Sequence, residues 1–117
     1  MNRQSLGRWG EDLVCAYLEK NGYAILERNF RFRQGEIDIV ARKLGTTAFV
    51  EVKTRTSGAF GTPAEAVGPR KQKSVMLAAQ QYILLKGKPG ENYTFDVAEV
   101  QIVEGRPSIN YIQNAFC

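Results

Sequence analysis

Glu36-Ile37-Asp38-Ile39-Val40-Ala41-Arg42, then Leu44-Gly45-Thr46-Thr47, then Ala48-Phe49-Val50-Glu51-Val52-Lys53-Thr54, form the stretch from which the rest of the chain can be ordered. It predicts two strands joined by a short turn, hence an antiparallel pair. The second strand stays apolar around Glu51, which predicts burial on both faces and a central place in a sheet. Side chains i and i+2 of a strand share a face. Glu36 and Asp38 are therefore expected to point one way together, as are Glu51 and Lys53, and Asp38 can lie close to Glu51. Charged residues are rarely fully buried unless paired or bound to a metal. A strand reading Val-Glu-Val-Lys thus points to a site.

Working outward, Leu6, Leu13, Val14, Tyr17 and Leu18 recur at helical spacing and predict a helix over residues 5–21, stopped by Gly22. Residues 23–26 read as a strand that continues irregularly through Asn29-Phe30-Arg31-Phe32-Arg33, with Gln34-Gly35 as a turn. Residues 56–69 hold Gly58, Gly61, Pro63 and Gly68 and read as a loop. Pro69 suits the first turn of a second helix, over residues 69–86, with Val75, Ala78, Ala79, Tyr82 and Ile83 as its core stripe. Residues 93–103 and 108–112 read as two more strands around a Glu104-Gly105 turn. The order αβββαββ predicts one α/β domain spanning residues 1–117, with a mixed central β-sheet flanked by helices.

A chain of 117 residues fits a single core without staples. The net charge of +4 suits a polyanionic partner without demanding one. There is no histidine, and Cys15 and Cys117 have no CxxC neighbour, so neither a zinc site nor a disulfide framework is indicated. No run approaches a membrane span and no signal-peptide core follows Met1, so the expected location is the cytoplasm, with no membrane partner.

Two carboxylates plus a backbone carbonyl suit Mg²⁺, a hard cation that keeps several waters. Such an ion can activate water and stabilise charge during phosphodiester cleavage, with Lys53 orienting the water or neutralising the developing charge. Structural ion pairs on an exposed sheet face would give the same pattern. Glu11 offers a further carboxylate at the margin of the first helix's stripe; it also suits a solvated first-turn acid complementing the helix dipole. Arg28, Arg31 and Arg33, then Lys53 and Arg55, then Arg70, Lys71 and Lys73, border the acidic strands or open the helix that follows. They fit phosphate contacts that position a nucleic-acid backbone, or a solubilising face. Phe30, Phe32 and Phe60 suit either base stacking or the core.

These residues carry a resemblance. Glu-x-Asp followed by Glu-Val-Lys resembles the motif of restriction-endonuclease-like nucleases. The whole chain resembles the YraN-like family of small bacterial proteins, predicted endonucleases related to archaeal Holliday junction resolvases. The matching stretches are Gly10-Glu11, Gly35-Glu36-Ile37-Asp38, Phe49-Val50-Glu51-Val52-Lys53-x-Arg55, Phe60-Gly61-x-Pro63, Ala66-Val67, Lys71-Gln72, Phe95-Asp96-Val97 and Asn114-Ala115-Phe116. The resemblance implies a restriction-endonuclease-like fold, with Mg²⁺ or Mn²⁺ held by Asp38, Glu51 and the Val52 carbonyl. It implies Lys53 as the catalytic lysine, Glu11 as an accessory carboxylate, and Lys71 or Gln72 near the phosphate. It assigns no role to Asp96, for which capping or a local arginine pair is considered; Thr94 stands where the family often has an arginine before Phe-Asp-Val.

The leading expectation is a metal-dependent endonuclease acting on branched or otherwise structured DNA, with shape rather than sequence recognised. The resolvase relatives imply a homodimer, since symmetric cleavage of a four-way junction needs two active sites. The alternatives are a nucleic-acid-binding module with this fold and no turnover, and a protein-interaction subunit whose basic face docks on an acidic partner.

Overall fold

A computed structural model describes residues 2–55 and 67–117. The elements run α1 (Arg3–Lys20), β1 (Ala24–Phe32), β2 (Gly35–Lys43), β3 (Thr46–Arg55), α2 (Pro69–Lys86), β4 (Asn92–Val103) and β5 (Arg106–Ile112). The order αβββαββ is as expected. Most of the predicted loop over residues 56–69, with Phe60 and the Phe60-Gly61-x-Pro63 motif, lies outside the described residues.

The five strands form one sheet in the order β1-β2-β3-β4-β5. β3 and β4 pair in parallel and the other neighbours are antiparallel, so the sheet is mixed. The helices cover opposite faces, because alternate residues of the central strands point to different layers. Ala48 and Val50 pack with Val14, Cys15 and Leu18 of α1. Phe49, between them, packs with Val75, Ala78, Ala79 and Tyr82 of α2. This accounts for the unbroken apolar run in β3.

Several boundaries differ from the sequence expectation, for local reasons. Helix α1 starts at Arg3 because Asn2 caps it, its Oδ1 accepting the Ser5 N–H at 2.8 Å. At its other end Tyr23 N–H donates to the Leu18 carbonyl and Gly22 N–H to the Glu19 carbonyl, with Gly22 at φ +89°. That is a Schellman ending, and it spends Tyr23 on the cap rather than on β1. The β1–β2 turn is at Arg33-Gln34, so Gly35 belongs to β2. The β2–β3 turn needs only Leu44 and Gly45, at φ +48° and +80°, as in the tight hairpins that follow strand twist. Thr46 and Thr47 therefore join β3.

Glu91 ties this hairpin to the start of β4. It receives two hydrogen bonds from Arg42, at 2.8 and 3.0 Å, and one from Thr47 at 2.6 Å. Asp96, fully buried on β4, settles its own role: it accepts the Tyr111 hydroxyl at 2.6 Å and the Asn114 N–H at 3.0 Å, not an arginine. Ala115 N–H donates to the Phe95 carbonyl, and the Phe116 ring lies 5.3 Å from that of Phe95. The Phe95-Asp96 and Asn114-Ala115-Phe116 stretches are thus two halves of one contact. Among the described residues no helix is long and apolar enough to cross a membrane.

Gly35 sets how closely α2 approaches β2. A Cβ there would stand 2.6 Å from the Ala78 nitrogen and 2.7 Å from the Ser74 carbonyl oxygen, both backbone atoms that cannot yield singly. Gly35→Ala is expected to lower stability by on the order of 2 kcal/mol through overpacking. A denaturant midpoint equal to that of the wild type would show that α2 is not held this tightly.

Candidate active site

The β2–β3 ladder runs from Lys43↔Thr46 to Ile39↔Val50 and stops there. Beyond it, side chains take over from backbone. Val52 N–H donates to Asp38 Oδ2 at 2.9 Å, and Asp38 N–H reaches Glu51 Oε1 at 3.4 Å. Strand alternation also breaks at this point: Ile37 packs in the α2 layer, whereas Ile39 packs in the α1 layer. The strands part, and an open cleft of about 400 Å³ forms at their ends. Glu11, Asp38, Glu51, Val52, Lys53, Val67 and Lys71 line it.

Asp38 and Glu51 are 8% and 3% exposed, so both carboxylates have left most of their water behind. Burial, followed by repulsion from Asp38, pushes Glu51 up to about 9. Burial also raises Asp38, against the hydrogen bond from Val52 N–H and the attraction of Lys71. Lys71 Nζ lies 3.3 Å from Glu51 Oε2 and 3.2 Å from Glu36 Oε1. Burial acts to lower its proton affinity, but Glu51, Asp38 and Glu36 outweigh burial and hold the ammonium above its ordinary range. One ammonium balances one of the paired carboxylates. The other must be neutralised by a proton or by a cation.

Glu11 is brought to the same cleft by the third turn of α1; the helix starts at Arg3, so Glu11 is not the first-turn acid that the sequence also allowed. Its Oε1 is buried without a hydrogen-bond partner among the described residues, and Arg28 stands 3.8 Å away while bonding Asp12 at 2.8 Å. Burial, then Asp38, raises the Glu11 pKa, against an opposing hydrogen bond from Asn29. Gly10 allows this approach: a Cβ there would fall 1.9 Å from Thr54 Oγ1 on β3. Among the described residues no three acidic, histidine or cysteine side chains gather as one ligand group. Two carboxylates with a neighbouring carbonyl, the remaining positions filled by water, is still a donor set that suits Mg²⁺ or Mn²⁺.

The basic residues separate into classes that the sequence did not distinguish. Lys53 is exposed, lines the cleft and has no ion pair among the described residues. Arg55 lies 3.1 Å from Glu99, which is buried and also receives Gln101 Nε2 at 3.0 Å. Arg31 pairs with Glu36 at 3.3 Å. Arg33 sits in the β1–β2 turn with its guanidinium 5.5 Å from the Phe32 ring. Gln72 Nε2 donates to the Val67 carbonyl at 2.8 Å and so fastens the entry to α2. Arg70 and Lys73 are exposed on the first turns of α2 with no ion pair among the described residues.

Glu36, two residues from Asp38, has a partner that was not among the expected site contacts. Its contact with Lys71 spans 35 positions, which spacing alone cannot show. Phe30 packs against the α2 layer, with its ring edge-on to Tyr82 at 5.4 Å.

The sign of the Glu51 shift fixes a pH dependence. Its pKa in the fold lies above its ordinary value, so its contribution to stability is complete below about pH 4.5 and is lost as pH rises toward 9. Glu51→Gln keeps an acceptor for the Asp38 N–H and removes the charge. In EDTA its stability relative to wild type is expected to rise by on the order of 2 kcal/mol between pH 4.5 and pH 8. Melting curves of both proteins across that range check this; parallel curves would mean that Glu51 is not driven toward its neutral form.

Residues 10–100 match the family described as "Uncharacterised protein family UPF0102". The chain is similar to a UPF0102 protein of Alkaliphilus oremlandii, 50% identical over 99% of this chain and 100% of the relative. It is similar to one of Syntrophomonas wolfei, 48% identical over 99% and 100%. A third, from Geobacter sulfurreducens, is 48% identical over 95% of this chain and 88% of the relative.

Proposed function

The chain belongs to the uncharacterised protein family UPF0102, a description that states no chemistry, and we propose from its site that it is a divalent-metal-dependent DNA endonuclease. The observation that carries this reading is the buried Asp38–Glu51 pair at the head of a cleft that also presents Lys53. The Glu-x-Asp and Glu-Val-Lys spacing, which resembles the motif of restriction-endonuclease-like nucleases, supports it. Asp38, Glu51 and the Val52 carbonyl would hold Mg²⁺ or Mn²⁺. When bound, such an ion supplies positive charge to the phosphoryl oxygens and acidifies the attacking water.

The chain's own residues do the remainder. Lys53, on the same strand two residues beyond Glu51, orients the water or neutralises charge growing on the phosphoryl oxygens. Glu11, whose burial favours its protonated form, takes up a proton released at the cleft. Arg70 and Lys73 engage backbone phosphates outside the cleft, and such contacts position DNA without reading bases. A domain of 117 residues offers little surface for base readout, which favours structured DNA recognised by shape. Cutting both strands of a junction would call for two copies of the chain.

The test is cleavage of an end-labelled four-way junction beside a linear duplex of the same sequence, in Mg²⁺, Mn²⁺ or EDTA. Wild type is expected to cut only with metal. Asp38→Asn should be inactive, and Lys53→Ala should lose roughly 10²-fold or more in rate, with circular dichroism confirming that both fold. Equal cutting by all three proteins would remove the assignment. Salt-sensitive binding without product, unaffected by Asp38→Asn, would favour a non-catalytic DNA-binding module.

A further inference from the structure

The resemblance implies Lys71 or Gln72 near the phosphate, whereas the structure holds the Lys71 ammonium on Glu51. Each Glu51 oxygen has a partner: Oε1 takes the Asp38 N–H at 3.4 Å, and Oε2 faces the Lys71 ammonium at 3.3 Å. Glu51 is 3% exposed, so it has almost no water to offer in exchange. A divalent ion on the Asp38–Glu51 pair must therefore displace that ammonium from Oε2, or sit beside it against strong like-charge repulsion.

We propose that Lys71 is a tethered cation standing in for the metal on Glu51, and that metal loading releases its ammonium to bind a phosphate of the substrate. This rests on the metal-dependent reading of the same cleft. The direction of release is set by the surroundings. The Lys71 side chain is 37% exposed, and its other partner, Glu36, is 40% exposed and faces out of the cleft. Glu36 bridges Lys71 at 3.2 Å and Arg31 at 3.3 Å. One carboxylate held between two cations is the arrangement a phosphate group would take in its place. Metal binding and phosphate binding then reinforce one another, and by reciprocity DNA tightens the metal as much as the metal tightens DNA. Lys73, exposed two positions along the same helix and unpaired among the described residues, contacts phosphate independently of the metal.

The experiment is a Mn²⁺ titration without DNA, reading free ion by electron paramagnetic resonance, on wild type, Lys71→Met and Asp38→Asn at pH 8. Lys71→Met is expected to bind Mn²⁺ about tenfold more tightly than wild type, and Asp38→Asn to lose binding. Equal or weaker binding by Lys71→Met, with the Asp38→Asn loss intact, would overturn the role of Lys71 and leave the metal site standing. No Asp38-dependent binding in any protein would overturn both. A second readout needs no variant. Wild type is treated with acetic anhydride with and without Mn²⁺, and acetylation is measured by peptide mass spectrometry. Lys71 labelling should rise several-fold with metal while Lys73 labelling stays constant. A Lys71 that stays protected in the Mn²⁺-loaded protein would sink the proposal.

Discussion

The Val52 N–H gives its hydrogen bond to the Asp38 side chain rather than to a strand neighbour, and the opening of the sheet follows from that substitution. Once the β2–β3 ladder stops at Ile39↔Val50, the strand ends must part. The gap between them can be kept only if the polar groups there satisfy one another. Asp38 and Glu51 meet part of that demand, each accepting a backbone N–H of the other strand. Their charge remains, in a place with little water, and it draws Lys71 of α2 into the gap. Both helices come close enough to frame the cleft because a glycine precedes an acid on each side: Gly10 before Glu11 against β3, and Gly35 before Glu36 against α2. The constraint on fold and the constraint on site are therefore the same few residues.

What could be read in advance was whatever has a period. The 3.6-residue stripe in α1 and α2 and the two-residue alternation through β3 are repeated signals, and each survives one irregular member. The Asp38–Glu51 proximity was legible for that reason, since a short antiparallel hairpin leaves few registers. Single residues with unusual backbone were not legible. Leu44 takes a left-handed φ ahead of Gly45, so that turn is two residues rather than four; the Glu104-Gly105 turn stands as read, but β5 begins at Arg106, two residues earlier than composition indicated. Charge partners were the least legible. Arg55 with Glu99, Arg42 with Glu91 and Lys71 with Glu51 are joined by long, flexible side chains across separate elements, and no spacing rule connects them.

The same pairing changes what a positive net charge means here. Arg31, Arg42, Arg55 and Lys71 all meet carboxylates of the chain itself, so the formal excess overstates what those residues offer a polyanion. Arg70 and Lys73 are different. They stand exposed at the N-terminal end of α2, where the helix dipole adds to their field.

The parallel pairing of β3 with β4 also bears on the order of assembly. Thr46 pairs with Asn92, so the centre of the sheet closes only after a long intervening segment that includes α2 has been gathered in. Asp38 and Glu51 are 13 residues apart in a hairpin that needs no such closure. Local contacts form at smaller entropic cost than distant ones. The acidic pair can therefore meet while still hydrated, and it loses its water only when α2 and β4 arrive. The electrostatic penalty of the site thus falls on the late, non-local step of folding.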